Sequence, residues 1–121
     1  SGATGVVGTT TFDLSAATGA LTLSTGTGTG GTGSVVGVTV TGPTAATAGA
    51  LNLTTGTLND TITLGAGANT VDAKGGNDTI TSGGGANTIT PGLGNDTINT
   101  GAGVDTIRFA EAGATFADTI N

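Results

Sequence analysis

Large apolar residues recur at every ninth position through the second half of the chain. The six positions are Ile62, Val71, Ile80, Ile89, Ile98 and Ile107, each preceded by Thr and, before that, by Asp or Asn. A single apolar residue between polar neighbours is typical of a short strand with one face turned inward. In five of these six repeats Gly stands two residues before the Asp or Asn. The pattern therefore predicts six short strands, each preceded by a Gly-containing turn.

The first half also alternates apolar and polar residues, as in Leu21/Leu23 and Leu51/Leu53. The segment 17–27 returns as 47–57 at an offset of 30 residues, and this offset aligns the two Leu pairs. The repeat predicts two equivalent rungs of a solenoid, although drift within a Gly/Thr/Ala-rich sequence is an alternative source of the match. The segment 26–33 contains only Gly and Thr and is expected to be a turn or link.

Composition supports strands and argues against a thick core. Gly and Thr, both poor helix formers, supply 25 and 29 of the 121 residues. Leu, Ile, Val and Phe together make up about 21 % of the chain, close to the level below which chains fail to bury a core. We therefore expect an all-β protein whose interior is a thin ladder of the repeated Ile and Val residues.

Charge and missing residue types restrict the function. The net charge is −6, which repels nucleic acid and anionic membranes and attracts divalent cations. The chain has no Cys, His, Met, Trp or Tyr, so thiolate and imidazole metal sites and His-dependent catalysis are excluded. No apolar run approaches the roughly 18 residues that a membrane span requires. We predict that the protein is not an enzyme, does not bind nucleic acid and has no transmembrane segment.

The repeat reads x-G-x-G-x-[D/N]-T-[I/V]-x and resembles the RTX, or haemolysin-type calcium-binding, nonapeptide G-G-x-G-x-D-x-U-x over residues 55–108. The resemblance implies a right-handed parallel β-roll with two nonapeptides in each coil. Three departures stand out: the first Gly is missing throughout, Lys74 replaces the second Gly in one repeat, and Leu58 replaces the third in another.

Two nonapeptides per coil place alternate repeats on opposite edges of the roll. The acidic edge would carry Asp60, Asp78 and Asp96, and the amide edge would carry Asn69, Asn87 and Asp105. Carboxylates stacked about 5 Å apart would repel by roughly 3 kcal/mol per pair at an effective dielectric of about 20. Turns of this kind offer carboxylate and carbonyl oxygens together, which suits Ca²⁺. Calcium is therefore the expected ligand of the acidic edge.

By resemblance to the family, each ion would lie between two turns of one edge, held by both Asp side chains and by main-chain carbonyls near the loop glycines. This implies sites at Asp60/Asp78 and Asp78/Asp96, with the Asn87/Asp105 pair intermediate. The predicted metal-site residues are Asp60, Asp78, Asp96, Asp105, Gly76, Gly92, Gly94 and Gly103. For Asn69/Asn87 we favour a neutral ladder of amide hydrogen bonds.

Three segments are expected. Residues 1–54 form a Thr/Gly-rich β segment, residues 55–108 form the RTX-like β-roll, and residues 109–121 form an irregular rung or cap. The last rung contains Ile120, which follows Ile107 by 13 residues rather than nine. We therefore expect this rung to be out of register with the others.

The composition and repeats are similar to those of bacterial surface-layer proteins and secreted filament or adhesin subunits. This resemblance implies a secreted protein at the cell surface that binds calcium, forms a homo-oligomer or polymer and contacts cell-surface polysaccharide. One alternative is a folding and secretion module of a larger secreted enzyme, toxin or adhesin. Another is an ice-binding surface, since the outward Thr residues of the Thr-Ile-Thr strands could form a flat array.

Overall fold

The computed structural model describes residues 10–16, 19–24, 37–42, 49–109 and 117–121. Within these ranges the regular structure consists of strands. The strands are β1 (Thr10–Asp13), β2 (Leu21–Ser24), β3 (Val38–Thr41), β4 (Leu51–Thr54), β5 (Thr61–Thr63), β6 (Thr70–Asp72), β7 (Thr79–Thr81), β8 (Thr88–Thr90), β9 (Thr97–Asn99), β10 (Thr106–Ile107) and β11 (Thr119–Ile120). No helix capable of crossing a membrane occurs in the part of the chain that is described.

Successive strands alternate between two parallel sheets. The first sheet has the order β1-β3-β5-β7-β9-β11, and the second has the order β2-β4-β6-β8-β10. Each coil therefore contributes one strand to each sheet, and every strand pairs in parallel with its equivalents in the neighbouring coils. The predicted all-β parallel solenoid is confirmed.

The apolar ladder follows the nine-residue spacing. In the first sheet Ile62 pairs with Ile80 and Ile80 with Ile98, and in the second Val71 pairs with Ile89 and Ile89 with Ile107. Five of these six side chains are fully buried, while Ile107 is partly buried against the same core. The predicted stacking of alternate repeats is therefore confirmed.

The strands of the first half continue the same two sheets. Leu21 pairs with Leu51 and Leu23 with Leu53, which is the register given by the 30-residue repeat. In the first sheet β1 pairs with β3, and β3 pairs with β5, so Val40 lies directly beneath Ile62. The segment 26–33, where we expected a turn or link, lies outside the described residues.

A second column of side chains lines the interior where the family pattern has its first Gly. Thr55, Leu64, Ala73, Ser82 and Pro91 occupy this position in successive repeats, and all five are buried. Leu64 and Ala73 belong to the main apolar cluster, while the Thr55 hydroxyl donates a 3.2 Å hydrogen bond to the carbonyl of Ala73. The side chains that replace the first Gly of the family pattern therefore enlarge the core.

The last rung is in register with the first sheet, so the expected loss of register is wrong. Thr119 pairs with Thr97 and Ile120 with Ile98, an offset of 22 residues in place of the 18 found between β7 and β9. The four additional residues therefore lie in the connection between β10 and β11, whose residues 110–116 are outside the described ranges. An insertion outside the strands changes the sequence spacing without changing the pairing.

Candidate metal-binding edge

Aspartate side chains along the acidic edge form a ladder linked by hydrogen bonds from the backbone. The N–H of Asp60 donates to Oδ1 of Asp78 at 2.8 Å, and the N–H of Asp78 donates to Oδ1 of Asp96 at 2.8 Å. The ladder continues from the N–H of Asp96 to Oδ1 of Asp118 at 2.9 Å. Each bond spans one coil, so the carboxylates are stacked at the strand spacing of about 4.8 Å.

The second oxygen of these carboxylates lacks a protein partner. Oδ2 of Asp78, Asp96 and Asp118 is buried and accepts no hydrogen bond. Both Asp78 and Asp96 are only 1 % exposed, so water has little access to their oxygens. A buried anionic oxygen without a donor carries a large desolvation penalty unless a cation compensates it. The acidic edge therefore has the oxygen chemistry and the charge of a cation site.

Burial of these acids changes their protonation. It raises the pKa of Asp78 to about 7, an effect opposed by the hydrogen bond from Asp60 and reinforced by the charges of Asp60 and Asp96. Burial also raises the pKa of Asp96, again opposed by a backbone hydrogen bond and reinforced by the charge of Asp118. Without a cation, Asp78 and Asp96 therefore hold their protons to higher pH than exposed aspartates do.

The amide edge contains the same ladder with its polar groups satisfied. The N–H and Nδ2 of Asn69 both donate to Oδ1 of Asn87 at 3.0 Å. Nδ2 of Asn69 also donates to the loop carbonyls of Gly65 and Gly67, and Nδ2 of Asn87 donates to that of Gly85. The partially positive N–H groups of the amide thus satisfy the loop carbonyl oxygens. The hydrogen bonds of the predicted amide ladder are present in this pair, and the absence of calcium there stays a prediction.

Both carboxylate oxygens of Asp105 accept hydrogen bonds from residues of the amide edge. Its Oδ1 accepts hydrogen bonds from the N–H and Nδ2 of Asn87 at 3.0 and 2.9 Å, and its Oδ2 accepts one from the Ser82 hydroxyl at 3.2 Å. Ser82 is in turn held by the N–H of Gly101 at 2.8 Å. Asp105 therefore differs from Asp78 and Asp96, because both its oxygens have donors.

The four glycines predicted for the metal site lie in loops that stack closely on the preceding coil. Gly76, Gly92, Gly94 and Gly103 all have positive φ, between 102° and 137°. At Gly94 a Cβ atom would lie 1.9 Å from the carbonyl oxygen of Gly76, so even Ala would force the two coils apart. Three of these glycines belong to the acidic edge, whereas Gly103 precedes Asp105 on the amide edge.

Lys74 occupies a glycine position of the acidic edge. Its φ of 68° lies in the left-handed region, like the φ of 102° at the equivalent Gly92. The Lys74 ammonium pairs with the carboxylate of Asp72, and the two side chains are 42 % and 38 % exposed. Its positive charge is therefore directed to an exposed carboxylate, and the Oδ2 atom of Asp78 has no donor from it.

A second, outer ladder runs along the acidic edge with the opposite polarity. The N–H of Asn77 donates to Oδ1 of Asn59 at 2.7 Å, and the N–H of Asn95 donates to Oδ1 of Asn77 at 3.0 Å. Each Asn thus accepts from the following coil, whereas each Asp accepts from the preceding one. The Asn-Asp pair recurring on this edge therefore fastens every coil in both directions.

Sequence reasoning placed Asp60, Asp78 and Asp96 together, and the structure stacks them. It omitted Asp118, which occupies the fourth position of the ladder. The available signal was the triplet Asp118-Thr119-Ile120, which repeats the Asp-Thr-Ile of the acidic edge. Among the described residues no three acidic side chains converge on one point. A cation between coils would therefore be held by two carboxylates together with backbone or water oxygens.

Comparison with protein families identifies the repeats. Residues 54–89 and 81–110 match the RTX calcium-binding nonapeptide repeat, with four copies. No significant match is found among the curated proteins or the solved structures. Residues 54–110 therefore consist of RTX calcium-binding repeats, so calcium is the expected ion and a secreted protein is the usual context. The unpartnered buried oxygens of Asp78 and Asp96 fit this ion, because Ca²⁺ takes carboxylate and carbonyl oxygens in a flexible shell.

Proposed function

From the RTX repeats of residues 54–110, we propose that this chain is a calcium-binding structural protein of the cell surface. Calcium would lie on the acidic edge at Asp60/Asp78 and at Asp78/Asp96, with the nearby loops of Gly76, Gly92 and Gly94 supplying carbonyl oxygens. The observation that carries this proposal is the contrast between the two edges: Asn69 and Asn87 satisfy their loop oxygens with amide donors, while Oδ2 of Asp78 and Asp96 has no donor.

Calcium would act as a structural clamp between coils. Each ion neutralises two stacked carboxylates and removes a repulsion of roughly 3 kcal/mol per pair at an effective dielectric of about 20. Extracellular calcium modules bind with Kd values of about 10⁻⁴ to 10⁻³ M, so such a site fills outside the cell and stays empty in the cytosol. This behaviour supports a secreted, extracellular protein.

Self-assembly through the strand edges of β10 and β11 is the finer part of the proposal. In the described chain, β10 and β11 are the last strands of their sheets and each pairs on one side only. The side chains of Ile120 and Phe109, near these strands, are 50 % and 48 % exposed. A strand edge of this kind can pair with another copy. We propose that copies join by strand pairing into a surface layer or filament; contact with cell-surface polysaccharide stays a prediction of the family resemblance.

A calcium series with the purified chain tests these proposals. We expect the melting temperature to rise with millimolar calcium and electron microscopy to show ordered polymers only when calcium is present. Magnesium at the same concentration is the control, because its rigid octahedral shell suits this edge poorly. Calcium-dependent melting without polymers would favour the alternative, a folding module of a larger secreted protein. A melting temperature that does not change with calcium concentration would contradict both proposals.

A regular Thr surface favours a second candidate function for the first sheet. Its outward row contains Thr in every strand, namely Thr11, Thr39, Thr61, Thr79, Thr97 and Thr119. A parallel row contains Thr41, Thr63 and Thr81 between Asp13 and Asn99. Neighbouring strands lie about 4.8 Å apart and alternate residues about 6.6 Å apart, which produces a two-dimensional array of methyl and hydroxyl groups. An array of this kind could order water and bind ice.

Ice recrystallisation assays test this second candidate. Thr79→Lys would disrupt the centre of the array, and Thr88→Lys on the second sheet is the matched control, since it alters an outward strand residue without touching the array. Inhibition by the parent and by Thr88→Lys, with loss in Thr79→Lys, would support ice binding. No inhibition by the parent would eliminate it.

A further inference from the structure

The carboxylates of Asp96 and Asp118 repeat the arrangement of the acidic edge outside the matched RTX repeats. The N–H of Asp96 donates to Oδ1 of Asp118 at 2.9 Å, which reproduces the 2.8 Å bond between Asp78 and Asp96. Oδ2 of both Asp96 and Asp118 is buried without a hydrogen-bond partner. Asp96 itself is only 1 % exposed, so its second oxygen is closed off from bulk water.

The backbone around these two residues makes the same kinds of hydrogen bond as in the regular coils. The N–H of Thr119 donates to the carbonyl of Asp96 at 2.8 Å, and the N–H of Asn121 donates to that of Ile98 at 2.9 Å. The N–H of Ala117 donates to Oδ1 of Asn95 at 2.9 Å, continuing the outer Asn ladder. The two carboxylates are thus held in the geometry of the regular repeats, although 22 residues separate them.

We infer that Asp96 and Asp118 form a further calcium site that fastens residues 117–121 to the roll. This inference rests on the proposed calcium binding of the acidic edge and extends it past residue 110, where the family match ends. Two stacked carboxylates with buried, donor-free oxygens need a hard cation, and Ca²⁺ completes its shell of about six to eight oxygens with carbonyls or water. The four extra residues before β11 lengthen the connection, and the Asp96/Asp118 pair keeps the arrangement of the regular pairs.

The site has a structural consequence that the other two lack. β11 is only two residues long and pairs on one side with β9, and Ile120 remains half exposed. Little buried apolar surface therefore holds this rung in place, and segments with few buried contacts open most readily. Calcium bound between Asp96 and Asp118 would supply the missing attachment. Local protection of residues 117–121 should therefore depend on calcium.

Asp118→Asn tests the site with little disturbance of the fold. The amide retains an oxygen that accepts the Asp96 N–H, and Asn already occupies the equivalent position at Asn69 and Asn87 on the amide edge. Asp13→Asn is the control, because it removes one negative charge from an exposed position on β1 at the other end of the first sheet.

Calorimetric titration and hydrogen exchange supply independent readouts. We expect Asp118→Asn to bind one calcium ion fewer than the parent, and its residues 117–121 to exchange at a rate that calcium no longer changes. The Asp13→Asn control should match the parent in both measurements, and protection of β7 and β9 shows that each variant is folded. Unchanged calcium number in Asp118→Asn would overturn this site alone, whereas a parent that binds no calcium would overturn the proposed function and the site together.

Discussion

The N–H of Asp78 donates a 2.8 Å hydrogen bond to Oδ1 of Asp96, one coil further along the roll. This bond orients the buried carboxylate of Asp96 against the backbone of Asp78. On its other side, Oδ1 of Asp78 accepts a 2.8 Å hydrogen bond from the N–H of Asp60, so Asp78 has a stacked carboxylate on both sides. The Asp78 side chain thus faces two neighbouring positions for an ion, one toward Asp60 and one toward Asp96.

Asp78→Asn should therefore weaken two calcium sites at once. At a calcium concentration ten times Kd, each site contributes about 1.4 kcal/mol to stability. We expect the substitution to lose about 3 kcal/mol of calcium-dependent stability, twice the loss in Asp60→Asn. Thermal melting across a calcium series measures both values. Equal losses in the two variants would contradict the shared role of Asp78.

Asn87→Asp should convert the amide edge into a calcium-dependent edge. The change removes the Nδ2 donor that bonds to Oδ1 of Asp105 and to the Gly85 carbonyl, and it places a second carboxylate beside Asp105. Without calcium we expect a loss of about 3 kcal/mol from like-charge repulsion at an effective dielectric of about 20. Titration calorimetry should show additional calcium binding. A variant as stable as the parent in a chelator would show that amide donors are not what satisfies this edge.

The calcium-free protein should become less stable as pH rises from about 4 to about 7. The folded-state pKa of Asp78 is about 7, above its ordinary value of 3.8; the folded protein therefore retains a proton that the unfolded chain has released. The free energy of unfolding then falls with pH by at most about 1.4 kcal/mol per unit from this group. Urea titrations in a chelator at several pH values measure the slope. Asp78→Asn is the control, and its slope should be smaller.

Lys74→Gly should stabilise the roll, because Lys74 holds a left-handed conformation with φ of 68°. Relief of this conformation is worth about 1 kcal/mol, and loss of the exposed ion pair with Asp72 costs about 0.5 kcal/mol. Lys74→Ala serves as the matched control, since it loses the ion pair while keeping the unfavourable φ. Denaturant midpoints should therefore rank Gly above Lys and Lys above Ala. A ranking with Lys highest would mean that the ion pair outweighs the backbone term.

Strict periodicity explains why much of this fold could be predicted. An apolar residue every nine positions, with a full coil of 18, leaves one solution for the stacking of Ile62, Ile80 and Ile98. The same arithmetic separates the acidic and amide edges, since alternate repeats carry Asn-Asp on one edge and mostly Ala-Asn on the other.

Two features could not be read from the spacing. The buried column of Leu64 and Ala73 occupies a position where the family pattern has Gly, and only closure of the coil reveals that this position faces inward. Asp118 was missed because an insertion breaks the nine-residue count, whereas strand pairing depends on backbone hydrogen bonds that tolerate a longer connection. Counting a fixed repeat length thus finds the regular coils but misses a coil whose connection is longer or shorter.

A crystal structure of the protein grown with calcium, with ions located by anomalous scattering, tests the contrast between the edges most directly. We predict calcium between Asp60 and Asp78 and between Asp78 and Asp96, in contact with the Oδ2 atoms of Asp78 and Asp96, which otherwise lack donors. We predict none between Asn69 and Asn87, where the amide group already occupies the loop oxygens. Calcium absent from the acidic edge, or bound equally between Asn69 and Asn87, would contradict the assignment of calcium binding to the stacked aspartates.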